Sequence, residues 1–287
     1  MSSGLGHSFK MIRKNKNYSQ KYVSENVLTQ SAYSKFELNK IEILSTSYIT
    51  LLERIEMTSE EFTFIKNGYK YLPKEKIINW FFNISYNNPI ELRKIILETE
   101  EFLKEKSDFI IQDIKVICEA LIILNETQDI ELTRKKVEET WIRLSQYDNW
   151  YLTEIKLINA ILFLFPVDTA IEVSQNALNR LKKYHSFRDS YKLEINFKLN
   201  MALLLIKNGS YNKAVNVLNP VIETAKAYGM YKQLAAAYVR RGICVFQSNE
   251  EEGEELMEKG VAMLEFLEDY ILKDILKVEI EHYTNSN

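Results

Sequence analysis

Between Thr29 and Lys35 the chain concentrates side chains suited to reading polar edges. Thr29, Gln30, Ser31, Ser34 and Lys35 supply hydroxyl, carboxamide and ammonium groups, which match the donors and acceptors of base edges and phosphates in a major groove. Tyr33 and Phe36 are three apart and share one helical face, so the polar set is left to point outward. Thr29 suits a helix N-cap, because its hydroxyl accepts from an orphan backbone N–H. Upstream, Ser19 and Gln20 repeat the device: a cap, then a carboxamide and free backbone N–H groups suited to a phosphate. A second set lies far down the chain. Asn159 and Asn200 each interrupt an apolar helix, and Asn196 lies one turn before Asn200 on the same face. A carboxamide both donates and accepts, as gripping an extended peptide backbone requires. Each asparagine is equally well explained as an amide satisfied by a neighbouring helix.

Catalysis finds no such support. There is no GxGxxG or GxxxxGK[ST] segment, and no Ser/His/Asp, paired-carboxylate or metal-ligand arrangement is recognisable. The histidines, His7, His185 and His282, have no ligand-like spacing. The expectation is no catalytic site, no metal and no cofactor. Cys118 and Cys244 sit in apolar helical stretches and read as buried thiols of a reducing cytoplasm. Charge interrupts the N-terminus by Lys10, and the longest apolar run, Ile158–Val167, contains Asn159 and Pro166. Neither a signal peptide nor a membrane span fits, so the expected location is cytoplasmic.

The elements that must position these groups are helices. The chain has 287 residues with only 8 Gly and 4 Pro, few for a protein rich in turns. Leu5, Phe9 and Ile12 make Leu5–Asn15 amphipathic. A helix from Ser19 has Tyr22, Val23 and Val27 on its apolar side. Tyr48, Leu51, Leu52 and Ile55 predict a helix over Ser47–Glu56. Thr58 with Glu61 forms a capping box ahead of Phe62 and Ile65. These five helices make a small domain over 1–66. Residues 67–74, with Gly68 and Pro73, read as a linker, and Tyr69, Tyr71 and Leu72 suit an ordered joint. Amphipathic segments then follow near 75–86, 89–104, 109–125, 131–145, 149–164, 167–184, 187–207, 211–227, 231–247, 251–267 and 269–282, with a polar break at Asn87-Asn88-Pro89. Helix pairs recurring every 35–40 residues or so are the mark of a helical array. Its clearest unit is Leu199–Tyr228, with Ala202, Gly209, Tyr211, Ala214 and Leu218 at small and aromatic positions. The last segment, with Tyr270, Ile271, Ile275 and Ile280, caps the array or serves as a dimer surface.

Charge follows the same division. Residues 1–45 hold seven basic side chains (Lys10, Arg13, Lys14, Lys16, Lys21, Lys35, Lys40) against Glu25, Glu37 and Glu42, in a chain of net charge −3. A basic head on an acidic body suits a head that meets phosphates.

The head resembles the helix-turn-helix family that includes phage repressors and Cro. The shared features are Phe9-x-x-Ile12-Arg13, Ser19-Gln20 and Tyr33-Ser34-Lys35-Phe36-Glu37. In that family a first-helix Arg pairs with a third-helix Glu, so the resemblance implies an Arg13–Glu37 pair. The turn here, Ser24–Leu28, is one residue shorter and lacks Gly, so Asn26 is the candidate for the left-handed conformation. Leu5-Gly6, Arg13-Lys14-x-Lys16-x-Tyr18-Ser19-Gln20 and Met57-Thr58-x-Glu60-Glu61-Phe62 narrow it further. With them the whole chain resembles the Rgg/MutR transcriptional regulators of the RRNPP group. The resemblance implies a DNA-binding head joined to a tetratricopeptide-like domain that binds a short signalling peptide, as in quorum sensing. It implies that Asn159 and Asn200 clamp the peptide main chain, with Asn196 beside them and Tyr238 next in preference. Arg241 would meet a peptide carboxylate or remain a solvated surface arginine. Phe163, Phe197 and Leu204 line apolar pockets or belong to the core.

The reading is therefore an all-α protein: a five-helix head over 1–66, a linker over 67–74, and a tetratricopeptide-like array over 75–287. Its expected partners are double-stranded DNA, a short hydrophobic peptide and a second copy of itself, with no membrane. Two alternatives stay open. The array only dimerises or binds a protein partner, or the chain is a helical scaffold without DNA binding.

Overall fold

Hydroxyl caps and short apolar repeats set the first helices one by one. The computed structural model describes residues 4–84 and 88–284, and every regular element among them is a helix. The head contains α1 (Leu5–Asn15), α2 (Gln20–Ser24), α3 (Gln30–Glu37), α4 (Ser45–Arg54) and α5 (Ser59–Lys66). Ser19 Oγ accepts from the Tyr22 N–H at 3.1 Å, Thr29 Oγ1 from Ala32 at 3.2 Å and Thr58 Oγ1 from Glu61 at 3.2 Å. Phe9, Ile12, Val23, Tyr33, Phe36, Leu51, Ile55 and Phe62 close on one another as the core.

Two details fix the angle between helices. In the turn from α2 to α3, Asn26 takes φ 59°, and the Ser24 carbonyl accepts from both Val27 and Leu28. At the start of α1, a Cβ on Gly6 would lie 1.8 Å from the Phe36 carbonyl oxygen, so α1 crosses α3 at a distance that only glycine permits. The Gly6 N–H donates to Asn39 Oδ1 at 2.8 Å. Two expectations are corrected. Tyr22, assigned to the apolar side of α2, is exposed; its ring lies 5.1 Å from that of Tyr18 and under the Arg54 guanidinium. The fourth helix begins at Ser45, not Ser47, and ends at Arg54, because Glu56 turns to φ 53°.

By contacts, the first compact unit continues through α6 (Pro73–Phe82) to residue 83 and includes 101–107. Residues 67–72 are ordered against α5: Tyr69 and Tyr71 place their rings 6.0 and 5.1 Å from Phe64. Tyr86 and Asn87, which end the expected 75–86 helix and open the expected polar break, lie outside the described residues.

The second unit is a run of helix pairs. It takes in most of α7 (Pro89–Glu105), then α8 (Phe109–Thr127), α9 (Ile130–Ser145), α10 (Leu152–Ile161) and α11 (Val167–Leu181). These are followed by α12 (Ser190–Lys207), α13 (Tyr211–Ala227), α14 (Tyr231–Phe246), α15 (Glu250–Phe266) and α16 (Tyr270–Thr284). The segments expected over 149–164 and 167–184 are α10 and α11, each extended by a 3-10 turn at Leu162–Leu164 and Lys182–Tyr184. In the α12–α13 pair, Ala202, Ala214 and Leu218 are fully buried, and Gly209 makes the turn at φ 66°. Helices α8, α10, α12, α14 and α16 touch in sequence and form one row, while α11 and α13 pack behind. At the crossing of α14 and α15, a Cβ on Gly260 would meet the Ala235 carbonyl at 2.6 Å. Among the described residues, no helix is long and apolar enough to cross a membrane.

Candidate functional site

In the head, a buried ionic network anchors α3 from behind. Arg13 Nε and Nη2 donate to Glu37 Oε1 and Oε2 at 2.5 and 2.9 Å, the two-pronged geometry in which Arg–carboxylate pairs are strongest. Arg13 Nη1 also donates to the Tyr18 carbonyl at 2.7 Å. Gln20 joins from α2: its Nε2 donates to Glu37 Oε2 at 2.7 Å. The amide nitrogen expected to face a phosphate is thus committed inward, and Gln20 keeps its carbonyl oxygen. Burial alone would raise the Glu37 carboxyl, but hydrogen bonds from Arg13 and Gln20 hold it below the usual carboxylate value. The Tyr33 hydroxyl is enclosed beside this network, and burial raises its pKa well above the usual phenol value.

The opposite face of α3 is open. Gln30, Ser31 and Lys35 are exposed and Ser34 is half-buried. None of the four uses its side chain in a hydrogen bond or ion pair among the described residues. Ser19 and Thr29 accept their cap bonds and keep a hydroxyl proton to donate. Seven expected contact residues therefore sit on α2, α3 and their caps. Six of them present a group to solvent, and Gln20 turns inward.

In the array, the structure brings two of the expected residues into contact. Asn200 Nδ2 of α12 donates to Asn159 Oδ1 of α10 at 3.1 Å. Both are half-buried, as is Asn196 one turn earlier. Asn196 makes no side-chain hydrogen bond among the described residues. Lys156, one turn before Asn159, is also half-buried, and burial pushes its ammonium below the ordinary value. Phe197 and Leu204 are core side chains. Tyr238 and Arg241 lie elsewhere. They line a cavity of about 420 Å³ with Asn219, Pro220, Glu223 and Lys226 of α13. Arg241 Nε donates to Asn219 Oδ1 at 3.1 Å, and Lys259 of α15 lies 4.6 Å from the Tyr238 ring centroid. Both side chains thus reach the helices flanking α14, α13 and α15.

The arginine in the α8–α16 row is the neighbour, Arg240. Its Nη1 donates to the Leu199 carbonyl of α12 at 3.0 Å, and Nε and Nη2 donate to Glu279 of α16 at 3.0 and 2.7 Å. Periodicity marks it: Arg240 is four residues after Ala236 and three before Ile243, both buried, whereas Arg241 is one step of about 100° off that stripe.

Solved structures share this architecture. A protein of Listeria monocytogenes EGD-e superposes with a TM-score of 0.79 at 19% identity, covering 99% of this chain and 98% of its own. The SHP pheromone receptor Rgg2 of Streptococcus dysgalactiae gives 0.71 at 15% identity, covering 99% and 100%. Bacillus thuringiensis PlcR, in complex with the peptide PapR7 and DNA, gives 0.70 at 19% identity, covering 95% and 98%. At these identities the likeness is one of fold. The sequence itself carries the assignment further: the family model described as the C-terminal domain of HTH-type transcriptional regulator Rgg matches residues 92–277. The chain belongs to the Rgg family of HTH-type transcriptional regulators.

Proposed function

We propose that the protein is a homodimeric, sequence-specific DNA-binding regulator controlled by a short, largely apolar signalling peptide held by its helical array. In this reading residues 1–66 meet the DNA, 67–74 join the parts, and 75–287 sense the peptide and dimerise. The observation that carries it is the asymmetry of α3. Tyr33, Phe36 and Glu37 are buried behind it, while Gln30, Ser31, Ser34 and Lys35 face outward with no side-chain partner among the described residues. A helix anchored on one face and polar on the other is what a major groove admits. Ser19 and Thr29 hold the backbone phosphates, and two-fold symmetry places two such helices about 34 Å apart. For the peptide, the Asn159–Asn200 pair offers unused donors and acceptors on adjacent helices, with Asn196 beside them. PlcR, similar over the whole length, is seen with both a peptide and DNA. The exposed apolar side chains Ile271, Ile275 and Val278 of α16 suit a second copy.

Gln30→Ala and Lys35→Ala test the head. Each weakens the specific site by roughly 1–3 kcal/mol where it removes a base contact; unchanged affinity in both removes the recognition-helix assignment. For the array, synthetic peptides encoded by small open reading frames beside the gene are titrated by fluorescence anisotropy. A peptide that binds the native chain loses about tenfold or more in affinity with Asn159→Ala or Asn200→Ala, the equivalent of one lost hydrogen bond. Equal affinity in both variants overturns the clamp.

A further inference from the structure

Arg240 sits within an apolar helix with its side chain almost wholly enclosed, 9% exposed. A guanidinium there must spend its donors on fixed partners. Arg240 divides them between two helices that do not otherwise share a polar contact among the described residues. One nitrogen holds the Leu199 carbonyl in the middle of α12, and two hold Glu279 of α16. Leu199 immediately precedes Asn200, whose carboxamide holds Asn159. One rigid, planar group therefore joins the backbone that carries the asparagine pair to the last helix.

That last helix packs on the core through Leu272, Leu276, Ile280 and Tyr283. Leu276 is the one fully buried side chain of α16 among the described residues. A second fastener, Lys232 to Asp269 at 2.6 Å, acts just ahead of its first turn. Its outer face exposes Ile271, Ile275 and Val278, spaced i, i+4 and i+7. Apolar packing is non-directional, so the register of α16 on the core is set by the two-pronged Arg240–Glu279 pair, whose geometry tolerates little displacement. A shift of α12 that moves the Leu199 carbonyl must either break that bond or carry Arg240 and Glu279 along.

We infer that Arg240 is a positioning residue that couples the Asn159–Asn200 pair to the placement of α16. The coupling gives the peptide-sensing reading its route to a surface suited to self-association. It rests on that reading for its purpose, while its geometry and its test need no peptide. The test is hydrogen exchange of the α16 amides in the full chain. Asn159→Ala removes the acceptor of Asn200 and serves as the perturbation. In the otherwise native chain it changes α16 exchange by about threefold or more. In an Arg240→Met/Glu279→Met background, where both charges are gone and none is left unpaired, α16 no longer responds to Asn159→Ala. Arg240→Lys keeps the charge and loses the fork, and cuts the response by about half or more. An α16 that ignores Asn159→Ala in the native chain overturns the inference. So does one that responds fully with Arg240→Lys or with the double substitution. A purely structural role would alter stability throughout without changing the response to Asn159→Ala. Failure of the protein to bind DNA or any peptide would sink the proposed function and leave this exchange result standing.

Discussion

Arg13→Met probes the head at its most constrained point. Arg13 and Glu37 have side chains 10% and 1% exposed, joined at 2.5 Å. Removing the arginine leaves the Glu37 carboxylate enclosed, with Gln20 as its remaining side-chain donor. Deleting one partner of a buried pair costs about 3–5 kcal/mol. The bond kept to Gln20 puts the expected loss at the lower end, about 3 kcal/mol. Because the chain forms two compact units, whole-chain melting does not isolate the head. Residue-resolved hydrogen exchange does. Head amides such as those of Phe9 and Tyr33 should exchange about a hundredfold faster, as 3 kcal/mol dictates, while amides of α12–α14 are unchanged. The companion Arg13→Met/Glu37→Leu leaves no unpaired charge and recovers all but about 1 kcal/mol. A loss below about 1 kcal/mol in the single variant would show that Arg13 does not neutralise a buried Glu37 charge, as would a double variant no better than the single.

Further outcomes follow from the same geometry. Gly6→Ala forces a methyl group against the Phe36 carbonyl, 1.8 Å from its ideal position, and costs the head more than about 2 kcal/mol by the same exchange assay; a neutral effect would contradict the close crossing. Glu37 titrates below the usual carboxylate value in the folded head. A depressed folded pKa stabilises above the unfolded pKa, and that stability is lost as pH falls through the folded one. Head protection from this source is therefore full near neutrality and declines below about pH 4.5, the ordinary value; Arg13→Met removes the decline. Burial pushes the Cys118 and Cys244 thiols up to about 12, so a thiol reagent at pH 8 labels the native chain far more slowly than the urea-unfolded chain. Fast labelling of either native cysteine would contradict their burial.

Much of this was legible because helices announce themselves in a single dimension. Leu5, Phe9 and Ile12 or Tyr33 and Phe36 state which face is inward, and Ser19, Thr29 and Thr58 state where helices start. Asn26 was legible as a left-handed residue because the short turn offers no glycine. The Arg13–Glu37 pair came from family resemblance, since nothing in the spacing of residues 24 positions apart brings them together. Tyr22 was misplaced by a single helical step. Tyr22 and Val23 are neighbours about 100° apart on a five-residue helix, and the core took Val23. Arg240 and Arg241 differ by the same step. Arg240 continues the buried stripe, which leaves Arg241 at the rim of the cavity with Tyr238. Gln20 could not be placed without knowing that Glu37 lies within reach, a fact of tertiary packing. The meeting of Asn159 and Asn200, 41 residues apart, follows from two polar residues sharing one face of neighbouring helices in the row.

DNA reading is proposed for the outward face of α3. It is tested most directly by binding of the purified protein to duplex DNA from upstream of its own gene and the adjacent genes. Binding is followed over a salt series and against random duplex. Tight, site-selective binding that weakens steeply with salt as counterions are released is expected, together with loss of selectivity in Lys35→Ala and Gln30→Ala. Equal weak binding to every duplex, unaffected by either substitution, would contradict it.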